Sequence, residues 1–299
     1  MLWILVALSS HLSWAFGNVG EKYIISNKIK NPYVYQLWSI LLGITCLILI
    51  PFISFEIPNI HQLPIVILAS VFYFCSGFPY VKAMQEEEVT RINIWWFLIP
   101  VFSLVMSWMI LGEFLNGQQI IAFLILITAS ILASLRIGLS KIKFSKAFWL
   151  MVLSCLFFAA QATANRYLTA FAGMNYLNVF VWTNILMFVF AVMLFGIKKV
   201  RKSSAEESKT VDWKLFAGIF ALYLLNHLGN LFNLLAVSLA PTALVFAMEG
   251  FQAIFVFIIV VILSLFTAAS LKEELDLKNV LLKVLTLILG VVGILVLNL

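Results

Sequence analysis

Charge is scarce in this chain: only 11% of its 299 residues are charged, against 64% hydrophobic. A soluble protein of this length needs far more polar surface, so the solvent for most of the chain is lipid. Cysteine is scarce too. Cys46, Cys75 and Cys155 lie in apolar runs without metal-ligand spacing, which argues for small packing residues and against redox chemistry or a metal site. The start, MLWILVALSSHLSWAF, lacks the positive n-region of a signal peptide and reads as a retained helix. Catalytic signatures are missing as well. Three histidines (His11, His61, His227) come with no HExxH, no paired aspartate motif and no nucleophile elbow, so no enzyme activity, catalytic residue or cofactor is expected. There is no P-loop for ATP and no repeated filter sequence for a channel. The net charge of +6 implies no nucleic-acid partner, because the basic residues border the apolar runs.

What is present is a series of long apolar runs. A helix needs about 20 apolar residues to cross the hydrocarbon layer. Ten runs qualify: 2–22, 33–55, 63–84, 90–112, 118–137, 147–168, 176–197, 212–238, 242–267 and 278–298. They are too long for barrel strands, and backbone groups in lipid must be satisfied within the segment. The expected fold is an all-α integral membrane protein with ten transmembrane helices. The longest connection, KKVRKSSAEESKTVD, reads as a charged mobile loop.

Every lysine and arginine except Arg166 falls in or beside alternate connections: Lys22, Lys28 and Lys30; Lys82 and Arg91; Arg136, Lys141, Lys143 and Lys146; Lys198 to Lys214; Lys272, Lys278 and Lys283. The positive-inside rule makes these connections cytoplasmic and puts both termini outside a multi-pass plasma-membrane protein. Arg166 is expected to snorkel to the interface.

The two halves echo each other. With an offset of 144, Ala15 meets Ala159, Lys22-Tyr23 meets Arg166-Tyr167, Asn31 meets Asn175 and Trp38 meets Trp182. With an offset of 153, Ala83 meets Ala236, Val89 meets Thr242 and Phe102 meets Phe255. Five helices per copy is an odd number, so the copies, 1–140 and 141–299, would be inverted repeats. That arrangement belongs to transporters, with a site near the midplane between the halves.

The stretches LSWAFGNVGEKYIIS and LIPVFSLVMSWMILGEFLNGQQ resemble the EamA-like members of the drug/metabolite transporter superfamily. The second copy departs from that pattern, with Ala253 where the family commonly repeats Pro100 and KEEL in place of a second Gly-Glu. The resemblance implies a ten-helix carrier with a central cavity. It also implies cytoplasmic termini, as in many relatives, whereas the charge pattern favours the opposite orientation.

Polar residues inside the spans are costly and therefore informative. His11, Trp14, Asn18 and Glu21 step by three and four along the first helix. Tyr223, Asn226, His227, Asn230 and Asn233 do so on the eighth, Gln161 and Asn165 on the sixth, and Glu249 and Gln252 on the ninth. These faces would line the cavity. Glu249 appears as the one acid well inside a span. It reads as a proton-exchanging group, with His227 a suitable partner, or as a neutral acid fixing two helices together. The asparagines serve a substrate or glue helices. His11 is a site residue or a satisfied core histidine. Trp96, the repeat counterpart of Glu249, stacks on a substrate or sits in an interfacial belt. Glu86, Glu87 and Glu88 beside Arg91 read as a solvated loop, and Gly112-Glu113 as a helix end. The functional expectation is a secondary transporter for a small organic solute, monomeric or homodimeric in the bilayer. The alternatives are a flippase or other lipid-handling subunit for lipid-linked sugars and, more weakly, a membrane enzyme.

Overall fold

The computed structural model describes residues 2–87, 92, 95–134, 145–266 and 277–298. The expectations at Glu88, Val89, Arg91, Arg136, Lys141, Lys143 and Lys272 to Leu275 lie outside them. The described chain is helical: α1 (Leu2–Asn27), α2 (Pro32–Leu41), α3 (Gln62–Glu86), α4 (Leu98–Met106), α5 (Gly117–Ser134), α6 (Lys146–Arg166), α7 (Tyr176–Leu194), α8 (Lys198–Ser208), α9 (Trp213–Leu239), α10 (Thr242–Ala247), α11 (Glu249–Phe266) and α12 (Leu277–Asn298). Among the described residues, seven stretches are long and apolar enough to cross a bilayer. Shorter apolar helices cover 98–111, 117–129 and 284–297.

The helix starts are written in the sequence. Asn31 and Asn175 each accept a backbone hydrogen bond two residues on, from Tyr33 (3.1 Å) and Leu177 (2.8 Å), which frees neither amide to the lipid. Ser145 and Asp212 cap α6 and α9 by accepting from the backbone N–H three residues on, those of Phe148 and Leu215. Gly112 closes the turn after α4 in the left-handed conformation, at φ 65°.

Three sequence expectations need correction. The second span is no single α-helix: α2 tightens into a 3-10 stretch over Leu42–Phe52, which contains Pro51. The connection after α7 is not a loop but the helix α8. Its Glu207 accepts the backbone N–H groups of Lys30 (2.6 Å) and Asn31 (3.3 Å), and its Ser204 accepts from Trp38 Nε1 (2.9 Å). Those bonds hold a polar helix that charge alone would leave in water. The fourth and ninth spans are also interrupted, at Trp96-Phe97 and at Met248. Pro100 explains the first break, because its ring collides with the carbonyl four residues earlier, that of Trp96.

Packing pairs α1 with α9, α3 with α6, and α5 with α12. The pattern is polar within and apolar without. Ser10, His11, Asn18, Glu21, Gln252 and Glu249 are buried, while Met109, Ile110 and Phe114 are exposed, as suits a lipid solvent.

Candidate functional site

Between α1, α2, α3, α6, α7 and α9, with the starts of α4 and α11, lies a cavity of about 150 Å³. Glu21 sits on its wall and is 8% exposed. Its Oε1 accepts hydrogen bonds from Tyr35 OH (3.1 Å) and Asn226 Nδ2 (2.9 Å), and its Oε2 accepts from Tyr80 OH (3.2 Å). Tyr80 OH is also 3.2 Å from Asn18 Oδ1. Gly17 makes this possible, because a Cβ there would collide with the Asn226 side chain. The sequence places Glu21 on the stripe of His11, Trp14 and Asn18 but counts Glu249 as the one acid deep in a span; the structure makes Glu21 a second buried acid on the same cavity.

Glu249 opens α11, just after the interruption at Met248. A carboxyl in the first turn of a helix meets a favourable dipole, worth about 0.3–1 kcal/mol. That is part of the answer to why an acid is tolerated there. The other part is His11, whose Nδ1 lies 3.5 Å from Glu249 Oε2 and 3.2 Å from Gln252 Oε1. His227, expected as the partner, instead bonds Asn184 Oδ1 through Nε2 at 2.7 Å.

Of the sequence-selected residues, Trp14, Asn18, Trp96, Glu249 and Gln252 line the cavity, as do Tyr223, Asn226, His227 and Asn230. His11 does not; it is fully buried behind Glu249 and Gln252. Trp96 is no belt residue, since it packs on Tyr80 with ring centres 5.2 Å apart. The same stripe of α1 reaches the cavity at Glu21, whereas Tyr73, Tyr80, Gln36 and Asn184 are cavity residues that single-helix periodicity could not link to the site.

Gln161 lines a second, smaller hollow of about 20 Å³, together with Asn165, Thr183 and Asn233. That is room for about one water. Asn165 Oδ1, Thr183 Oγ1 and Asn233 Nδ2 are buried and find no hydrogen-bond partner among the described residues. A wall shared by both hollows separates them: Tyr73, Phe158, Asn184 and Asn230. Asn230 Nδ2 donates to Tyr73 OH and Asn230 Oδ1 accepts from Trp14 Nε1, while Phe158 stands edge-on to Tyr73. Along α9 the larger hollow takes Tyr223 to Asn230, nearer the basic connection, and the smaller takes Asn230 to Leu234.

Arg166 does not snorkel. Its Nε donates to Glu113 Oε1 at 2.7 Å and its Nη1 donates to the carbonyls of Val237 and Ser238, both at 3.0 Å. Glu113 therefore does more than follow a helix end: it joins α4 to α6. At the other end, Glu86 pairs with Lys82 at 2.9 Å, as expected of a solvated turn.

Residues 1–135 match the model of the EamA-like transporter family, of the drug/metabolite transporter superfamily. No curated protein matches the chain. A solved structure described only as "Crystal structure of protein" superposes with a TM-score of 0.67 at 14% identity, covering 98% of this chain and 94% of its own length. At that identity the likeness is one of fold.

Proposed function

We propose, for a chain whose residues 1–135 match the model of the EamA-like transporter family, a ten-helix secondary transporter of a small organic solute. It is built as two inverted five-helix repeats and works by alternating access. The observation that carries this reading is the relation between the two hollows. Under the offset of 144, Glu21 corresponds to Asn165 and Ser39 to Thr183; under 153, Tyr80 corresponds to Asn233 and Gly77 to Asn230. The small hollow is thus the counterpart of the large one on the opposite side of the wall. An inverted-repeat protein exchanges such conformations when one half rocks against the other.

Side-chain contacts support the repeat. Ser10 donates to the Gly229 carbonyl and Ser154 to the Ser76 carbonyl, both at 2.8 Å. Lys22 donates to the Met84 carbonyl (2.8 Å) as Arg166 does to that of Val237. These are the same contact written twice at the two offsets. The interruptions at Trp96-Phe97 and Met248 fall within one residue of each other under the offset of 153, and broken helices at matched positions are the usual markers of a carrier's site. Glu249, with His11 behind it, is the group we assign to proton coupling. By the charge bias, the large hollow lies on the cytoplasmic side and both termini lie outside.

Thiol labelling tests the exchange. In a cysteine-free background, Thr183→Cys and Ser39→Cys should react with an impermeant reagent from opposite sides of sealed vesicles. Labelling of both from one side, or of Ser39→Cys alone under every condition, ends the alternating-access reading.

A further inference from the structure

The chemistry of the large hollow narrows its solute. Two of its lining residues are acids, Glu21 and Glu249, and among the described residues no lysine or arginine lines it. The two acids are not equivalent. Glu249 has a titratable neighbour, His11, whose Nδ1 lies 3.5 Å from its Oε2. Glu21 accepts three hydrogen bonds, all from neutral donors, Tyr35, Tyr80 and Asn226. Neutral donors hold a carboxylate in position but leave its charge uncompensated, and an uncompensated buried charge is costly. A bound cation is the missing counter-ion. Around it the wall offers acceptors on Asn18, Gln36 and Ser39 for N–H groups, and the aromatic faces of Trp14, Tyr73, Tyr80 and Trp96 for a cationic or ring-bearing body.

We propose that the solute is an organic ammonium ion with an apolar, ring-sized body, its nitrogen held by Glu21 and its body against Trp14 and Trp96. This rests on the transporter reading of the same cavity and adds the substrate class to it. Anions are refused, because two carboxyls would face them with no lining lysine or arginine in compensation. The repeat counterpart of Glu21 is the neutral Asn165, so the ammonium anchor belongs to the large hollow alone.

The test uses three molecules of one shape on the purified full chain in detergent at neutral pH: 2-phenylethylamine, 2-phenylethanol and 3-phenylpropionate. Calorimetric titration should give the amine at least about tenfold tighter binding than the alcohol, with no binding of the carboxylate. Glu21→Gln should shrink the amine's advantage to about twofold, and Glu21→Asp should keep most of it. The wild-type ranking stands without either variant, should one fail to fold. Equal binding of amine and alcohol, tighter binding of the carboxylate, no binding of any of the three, or an undiminished preference in folded Glu21→Gln would each overturn the assignment. Failure of the transporter reading would appear separately, as thiol labelling confined to one side.

Discussion

The residues that matter here are polar groups made tolerable by a few specific neighbours. Glu249 keeps a helix N-terminus on one side and His11 on the other, and both supports are local enough to name. If Glu249 carries the coupling proton, Glu249→Gln keeps the shape of the side chain and removes the proton site. Uptake of solute into proteoliposomes should then stop responding to an imposed pH gradient, while equilibrium exchange continues. A variant that still accumulates solute with the wild-type pH response would remove Glu249 from the mechanism. Much of this was readable beforehand: helical spacing picked eight of the residues that line the cavity wall, and the repeat offset a ninth, Trp96. Glu21 shared the inward stripe of His11, Trp14 and Asn18, but at the end of its run it did not count as an acid inside a span. Only the approach of α2, α3 and α9, which brings Tyr35, Tyr80 and Asn226 to its oxygens, makes it central.

Elements are joined by charged groups at the ends of the apolar layer. The Arg166–Glu113 pair is largely withdrawn from solvent, at 13% and 12% side-chain exposure, and ties α6 to the end of α4. Removing one member strands the other, a loss of about 3–5 kcal/mol for a buried pair, whereas apolar replacement of both restores much of it. Thermal unfolding in detergent should therefore rank Glu113→Leu below the double variant Glu113→Leu/Arg166→Met. The reverse order would mean that the pair contributes little and that the two carbonyl contacts of Arg166 hold the helix end. Helix α8 makes a similar point. Its attachment depends on Glu207 accepting two backbone N–H groups, so Glu207→Ala should open the Lys198–Lys202 stretch to trypsin at least several-fold faster than in the wild type. An unchanged cleavage rate would show that Trp38 and Ser204 suffice. Composition marked that segment as a loop because nothing in its own charges records a partner on a distant connection. The breaks at Trp96-Phe97 and Met248 were equally hidden: Pro100 hints at the first, but Ala253 gives no such hint for the second.

For the molecule as a whole, the governing fact is that two hollows of unequal size share one wall. If they exchange, blocking the small one should arrest the cycle without emptying the large one. Asn233→Phe fills the small hollow from the α9 side. It should abolish net transport while leaving solute binding within about twofold of the wild type. A variant that still transports would make the small hollow a packing defect rather than the second vestibule.

The apolar runs, the alternation of basic connections and the faint self-similarity are local properties of a chain. The sequence alone therefore determined that this protein is helical, lives in lipid and resembles a family of transporters. It also determined which helix faces are polar, because periodicity is set by the backbone. Which acid has a counter-ion, which polar connection is held, and where the long helices break depend on groups brought together from far apart in the chain. Tertiary packing decided those, since a buried charge is made stable or costly by its neighbours in space rather than in sequence.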